Sequence, residues 1–448
     1  MRPCHGDDTK RGYLTAQSRT GRSNVALEAP DDALALLDCH DRRSPREHPR
    51  PGRGPGGRRR GGRGRLVRAG ERAGGREPRR PVRARDPPAR PAPRRARLPR
   101  GGRRLPGRPL RGRRERRSRL LGRRARVVFA GWLFGRENRF KLELAISPAD
   151  MGFDPNLGPT RTPLLDWYID FRHLRDLEIR VGQYKLPFSR ERVISSGDLQ
   201  MVDRSLANAE LNIDRDFGID LRSRDFLGLG LLRYYAGVST GEGRDAGFGD
   251  DLSFWYFGRV EVLPLGMFDD YTEADLARSS QPRLSLGAAY AFLHEAPRLR
   301  GALGPVAEDG GTTDYHLVTA DAMLKWAGLS VYAEMIWREG SRNPGSAEDG
   351  MGNPLPVTPP RNGIGWYVQA GYLLPGVDFE IAARYGMLHP LGDPASTTFP
   401  ERGELGGAIS YYFGEHSFKL QLDYFHLWQD GDFGDSEEQV RLQLQAAL

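Results

Sequence analysis

The stretch "VGQYKLPFSRERV" at 181–193 runs from an alternating, strand-like segment through Pro187 into Arg190 and Arg192, and Arg204 and Arg215 follow close behind. Guanidinium groups gathered in a narrow, wet passage lower the barrier that a hydrated anion meets. Each can also grip a phosphate through two parallel N–H bonds. Conduction past such groups requires several weak sites, because one tight site would stop the flow. Six further cations, Lys141, Arg172, Arg180, Arg259, Arg384 and Lys419, occupy the polar face of strand-like segments. For every one of these ten residues the ordinary alternative is a solvated charge or one paired on a wall.

Other chemistries find no support. "RDFG" (215–218) and "GDFG" (431–434) contain a kinase-like triplet, but neither a Gly-rich phosphate loop nor a His-Arg-Asp catalytic loop accompanies them. The nine histidines are scattered, with no i, i+4 pair. "GLSVY" (328–332) lacks the glycine pair of a nucleophile elbow, so no catalytic residue and no cofactor are expected. No metal site is assigned; calcium among Asp250, Asp251, Asp269 and Asp270 is the one arrangement considered, as outer-loop carboxylates.

The elements that would position the cations lie in only part of the chain. Residues 1–126 hold 39 Lys and Arg against 12 Asp and Glu; of the totals of 68 and 58, this leaves 29 basic and 46 acidic residues for 127–448. The first part is strongly basic and the second carries a net charge of −17. Residues 1–40 contain no apolar run resembling a signal peptide, since Asp7, Asp8 and Lys10 interrupt it. Residues 41–126 hold 34 arginines and no Lys, Phe, Tyr, Trp, Ile, Asn, Gln, Thr or Met. The absent types all need A or T in their codons, so this low-complexity region is read as disordered or as a GC-rich gene translated out of frame. A basic nucleic-acid-binding arm is the rival reading, weakened by the lack of stacking aromatics. Cys4 and Cys39 both fall in 1–126, so 127–448 is free of thiols and suits passage through an oxidising compartment.

Across 127–448 the hydrophobic pattern has period two. In "GVDFEIAARYGM", Val377, Phe379, Ile381, Ala383 and Tyr385 share one face, while Asp378, Glu380 and Arg384 share the other. "LLDWYIDFR", "RFKLELAI", "HSFKLQLDYFHLW" and "EEQVRLQLQAAL" repeat the pattern, with Leu165 and Trp167 on the apolar face of the first. Segments of about ten residues with a greasy face, a fully charged face and aromatics near the ends predict an all-β, transmembrane antiparallel β-barrel of the outer membrane. A soluble sandwich would have shorter strands. Fifteen strands are predicted, near 127–134, 139–147, 163–171, 174–186, 216–224, 226–238, 253–263, 282–294, 314–325, 328–338, 364–373, 376–387, 403–413, 416–427 and 437–448. Tight links such as His173, Asp225 and Ala327–Gly328 alternate with long Gly/Pro/Asp-rich ones. The link 264–281 breaks this rule by being long where a short periplasmic turn belongs. Bacterial barrels have an even number of strands. A sixteenth is therefore expected before Val127, inside the Arg-rich run.

The blocks "VGQYKLPFSRERV" (181–193), "VDRSLANAEL" (202–211) and "DRDFGIDL" (214–221) together resemble the phosphate-selective porins O and P, and "VRLQLQ" near the end is loosely similar. The resemblance spans 127–448. It implies a sixteen-stranded trimeric barrel in the outer membrane that passes small anions such as phosphate through a constriction lined by Arg and Lys. It also implies that 187–215 is the third outer loop, folded inward to narrow the pore. Pro187 would end the ladder for want of an N–H, and "SSGDLQMVDRSLANAEL" would give a Ser-capped helical turn or two. On this reading Arg190, Arg192, Arg204 and Arg215 belong to the constriction, and the other six cations face the lumen. Expected partners are membrane lipid, small solutes and two further copies of the chain, without nucleic acid. A barrel with a structural or adhesive role and no channel is the alternative.

Overall fold

The computed structural model describes residues 120, 122–154, 158–244, 253–392 and 398–447. Most of the Arg-rich arm, on which the nucleic-acid reading rests, lies outside the described residues, as do Asp250 and Asp251. One fifteen-stranded antiparallel sheet dominates, and each strand pairs with its sequence neighbours. Its strands are β1 (Arg126–Trp132), β2 (Asn138–Ala145), β3 (Leu164–Leu174), β4 (Leu177–Lys185), β5 (Arg215–Ser223), β6 (Leu232–Ser239), β7 (Trp255–Val262) and β8 (Arg283–Ala296). There follow β9 (Thr312–Trp326), β10 (Leu329–Asn343), β11 (Gly363–Leu373), β12 (Phe379–Pro390), β13 (Arg402–Gly414), β14 (Phe418–Gln429) and β15 (Asp432–Ala446). Three short helices, α1 (Pro148–Met151), α2 (Arg190–Val193) and α3 (Leu206–Leu211), lie in the links. No described helix is long and apolar enough to cross a membrane, and crossing is left to the strands.

Alternation decides which way each side chain points. On β12, Phe379, Ile381 and Tyr385 are exposed while Glu380, Ala382 and Arg384 are buried. On β14, Leu420, Leu422 and Tyr424 are exposed and Lys419, Gln421 and Asp423 are buried. Apolar side chains thus cover the outside and charges fill the inside, the reverse of a soluble sandwich and the arrangement of a barrel in lipid. Among the described residues no ladder joins β15 back to β1, so the sheet is open along that seam. The expected sixteenth strand would occupy this gap.

All fifteen expected strands are present, with local differences that have local causes. Leu165 is buried rather than outward, because the β2–β3 register shifts opposite Leu144 and turns both Leu165 and Asp166 inward. His173 is not a turn residue: β3 continues to Leu174 and the link is Arg175–Asp176. The Asp225 turn is longer than expected and β6 begins only at Leu232. Leu227, Gly228 and Gly230 all have positive φ there, and the Asp225 carboxylate accepts from the Gly230 amide at 2.6 Å. The β14–β15 link is a tight turn at Asp430–Gly431, both at positive φ, where a longer one was expected.

Two links fold into the lumen. The third outer loop, 186–214, is largely buried and packs apolar groups such as Phe188, Leu211 and Ile213 against Trp255, Tyr315 and Ile336 of the wall. Ser189 caps α2 by accepting from the Arg192 amide at 3.1 Å, and Ser205 caps α3 by accepting from the Asn208 amide at 3.1 Å. The second is the Ser-capped turn expected within 195–211; the first, α2, lies upstream of that segment and had not been expected. The anomalous link 264–281 also turns inward, burying Asp270, Thr272, Glu273, Ala274 and Asp275.

The Ala327–Gly328 hairpin has positive φ at both residues (53° and 89°), the twist that suits a two-residue turn. A Cβ on Gly328 would stand 3.0 Å from the Leu373 carbonyl oxygen. Gly328→Val should cost about 1–3 kcal/mol, read as a lower denaturant midpoint for loss of the compact, fast-migrating form on unheated detergent gels.

Candidate functional site

Arg190 opens α2 and has no exposed surface. Its Nη1 lies 2.5 Å from Asp270, its Nε 2.5 Å from Asp321 and its Nη2 3.5 Å from Glu261, and it donates to Ser285 Oγ at 2.9 Å. Arg259 adds contacts of 2.8 Å to Glu261 and 2.7 Å to Asp321, and donates to the Phe188 carbonyl at 2.8 Å. Arg233 lies 2.7 Å from Asp270 and 3.3 Å from Glu261. Three guanidinium groups therefore share three carboxylates in a closed, neutral cluster. It pins the third loop to β7, β8 and β9, and in this arrangement Arg190 and Arg259 are sealed from any solute.

The β2–β5 wall is neutralised pair by pair. Arg180 lies 2.6 Å from Asp170 and stacks over Tyr168, and Arg222 bonds Asp220 at 2.6 Å. Arg215 donates to Asp166, Lys141 lies 3.2 Å from Glu143, and Arg172 lies 3.1 Å from Glu178 and 3.4 Å from Asp170. Lys419, on β14, is buried and donates to the Leu199 carbonyl of the third loop at 2.8 Å.

Beside this paired lining, a cavity of about 400 Å³ opens between the third loop and the β12–β15 wall. Arg123, Arg124, Arg192, Arg204, Arg384 and Arg441 line it, against only two carboxylates, Asp203 and Glu404. Arg441 lies 3.1 Å from Asp203, and Arg123 reaches the same carboxylate. Arg384 lies 3.1 Å from Glu404 and donates to the Asp203 carbonyl at 2.9 Å. Arg192 bonds Asp214 at 2.8 Å. Arg204 donates to the carbonyls of Glu191 (2.8 Å) and Ile194 (2.7 Å), and no described carboxylate lies within ion-pair distance of it. Burial, and then the neighbouring Arg192, push the Arg204 guanidinium down to about 9, which leaves it cationic at neutral pH. Behind the lining, Asp423 accepts two bonds from Arg441 at 2.8 Å and Asp214 holds Arg192, so the six cations meet four close carboxylates and the cleft keeps a surplus of positive charge.

Of the ten cations singled out in the sequence, Arg192, Arg204 and Arg384 come together at this cleft. Arg190, Arg215, Lys141, Arg172, Arg180, Arg259 and Lys419 are held in contacts elsewhere on the lining. Three of the cleft's cations had not been singled out. Arg441 sits on the polar face of "VRLQLQ" and period two alone would have found it. Arg123 and Arg124 were hidden in the Arg-rich composition on the far side of residue 127. Asp269 and Asp270 belong to the inward-folded link, not to an outer loop, and two arginines already hold Asp270. Among the described residues no group of three or more metal-ligating side chains comes together.

Glu191, on α2, accepts from the Ser205 amide at 2.8 Å and the Ser205 hydroxyl at 2.7 Å, with Arg384 3.8 Å away. Burial pushes its carboxyl up to about 8; Arg384 opposes this, and Glu273 and Glu334 add to it.

A family profile described as phosphate-selective porin O and P matches residues 111–431. The match begins upstream of residue 127 and takes in Arg123 and Arg124. Among solved structures, the chain is similar to an anion-selective porin from Comamonas acidovorans, at 15% identity over 72% of this chain and 85% of that one, with a TM-score of 0.42. It is similar to Pseudomonas aeruginosa OpdK crystallised with vanillate (14% identity, 71% and 90% covered, TM-score 0.36). A BenF-like porin from Pseudomonas fluorescens gives 14% identity, 72% and 90% coverage and a TM-score of 0.36. No curated protein matches the sequence.

Two outcomes follow from this geometry. Asp321→Ala leaves three buried guanidinium groups to share two carboxylates, Asp270 and Glu261, and breaking a buried pair costs about 3–5 kcal/mol; the denaturant midpoint of the refolded barrel should fall accordingly. Glu191 binds its proton more tightly folded than unfolded, so its contribution to stability is full below about 4.5 and is lost as pH rises through about 8. Unfolding midpoints measured from pH 5 to 9 should decline in the native protein, and Glu191→Gln should flatten that decline.

Proposed function

This chain belongs to the phosphate-selective porin O and P family and is an outer-membrane porin, and from that premise we propose that it passes small anions, phosphate among them, through the cleft between its third loop and the β12–β15 wall. The single observation that carries this reading is the imbalance at the cleft, six guanidinium groups against the two lining carboxylates and the two, Asp214 and Asp423, that hold Arg192 and Arg441 from behind. Family and fold are those of a passive channel rather than an enzyme. A hydrated anion in the cleft meets successive donors held at fixed positions, so each replaces part of its water shell without binding it tightly. Arg204, bonded only through carbonyls, is the least matched of these charges and faces the solute without a bonded carboxylate. Arg192, Arg384 and Arg441 each share a carboxylate and offer weaker, successive sites. Arg190, Arg215, Lys141, Arg172, Arg180, Arg259 and Lys419 act in this reading as the lining that holds the loop and wall in register. The trimeric assembly implied by the family resemblance belongs to the same proposal, and cross-linking of detergent-extracted protein should give a three-chain species.

In a planar bilayer the protein should give ohmic steps, and a chloride gradient should give a reversal potential of the sign for anion preference. Arg204→Glu with Arg441→Glu should lower the anion-to-cation permeability ratio several-fold. Arg175→Gln, on an exposed turn outside the cleft, should leave it unchanged. Raising the salt should weaken the native preference, as screening shortens the reach of the cleft's field. A ratio unmoved by the double variant would remove the cleft from the argument.

A further inference from the structure

The link 264–281 is the one connection whose length contradicts its place, and its contacts suggest why. Asp270 supplies one of the three carboxylates of the Arg190 cluster, at 2.5 Å from Arg190 and 2.7 Å from Arg233. Tyr271 lies under Arg190 at 5.3 Å and donates to Glu261 at 2.6 Å. Two residues beyond Tyr271, Glu273 accepts from the Gln200 amide at 2.7 Å and from the Gln369 side chain at 2.8 Å, while its own amide donates to the Asp198 carbonyl at 3.1 Å. The link thus touches the third loop at two separate points, α2 and the Asp198–Gln200 segment. Its flanks are tied to the wall: Lys325 donates to the Asp269 carbonyl and to Thr272 Oγ1, both at 2.7 Å, and Asp275 accepts from the Gly328 amide at 2.8 Å.

We propose that this inward-folded turn is a second constriction element, which props the third loop against β7–β10 and closes the passage on that side, so that solutes are confined to the arginine cleft opposite. Asp270 and Glu273 are its positioning residues. They meet no solute; they act through Arg190 and Gln200. A short turn at this place would leave Arg190 and Arg233 one carboxylate short and the underside of the loop unsupported. The proposal concerns where the open cross-section lies, and it stands whether the solute preferred is an anion or not.

The test uses full-length chain with Cys4→Ser and Cys39→Ser, since 127–448 has no other thiol. Thr319→Cys places a reporter on the β9 lining, where Thr319 has no exposed surface and faces Glu334 behind the third loop. With the native turn, a water-soluble, charged thiol reagent should leave the current unchanged. With Asp270→Asn and Glu273→Gln added, the same reagent should modify Cys at 319 and cut the current, and unmodified conductance should rise at least twofold with a larger size limit for neutral polymers. Heat-modifiable migration on detergent gels confirms that each barrel is folded. The single Glu273→Gln change, which keeps the Arg190 cluster whole, should give a smaller change in the same direction, and Asp270→Glu should restore the native current. A reporter that reacts with the native turn in place would overturn the proposal. So would conductance and labelling that stay native in both turn variants.

Discussion

Arg190 carries a full charge without any contact with water, and Asp270, Asp321 and Glu261 hold it. A guanidinium in that position cannot be left with fewer partners, because the desolvation that burial imposes is recovered only through close carboxylates and hydrogen bonds. The contact therefore fixes three pieces of chain at once: α2 of the third loop, the β7–β9 wall and the inward turn. With the loop pinned to one side, the free space must lie on the other. The place of the cleft follows from the place of the neutral cluster.

This asymmetry also reconciles two charge counts that look opposed. Residues 127–448 carry a net −17, yet the cleft is positive. Much of the lumen acid is held by close cations, Asp170 by Arg180 and Arg172, Asp220 by Arg222, and Asp166 by Arg215 and Lys141. Paired charges in a closed setting contribute little field at a distance. At the cleft Arg204 has no described carboxylate in ion-pair reach and Arg123, Arg124 and Arg441 crowd Asp203, so cations are in local surplus, and the surplus of acid elsewhere does not reach through about 8–10 Å of electrolyte. Net charge is a property of the chain, whereas selectivity belongs to a few ångströms of it.

The strands were legible because a barrel wall has one rule, apolar out and polar in, and β12 and β14 follow it over Phe379–Tyr385 and Phe418–Tyr424, before Leu388, Phe425 and Trp428 turn apolar groups inward. Where the rule failed, the cause was a backbone event that period two does not encode. The register shift beside Leu144 turned Leu165 inward, and the glycines after Asp225 delayed β6. Inward placement of Arg384, Arg180 and Lys419 could be read from alternation alone. Which of them would face solute could not, because that depends on partners distant in sequence: Asp321 is 131 residues from Arg190, and Leu199 is 220 residues from Lys419. The third loop was legible through Pro187 and its serine caps. The inward turn showed only as an excess of length, which marks that a link has something to do without saying what.

The open seam bears on the same cleft. Arg123, just before β1, and Arg441, on β15, both reach Asp203 of the third loop, so one loop carboxylate draws the two edge strands toward each other. Unpaired strand edges are costly in hydrocarbon, where no water can satisfy their N–H and C=O groups. A sixteenth strand bridging β15 and β1 would satisfy both edges and would border the cleft directly. Its lumen-facing side chains would then join Arg123, Arg124 and Arg441 in setting the local charge. The wall's remaining degree of freedom lies where the cations are least matched.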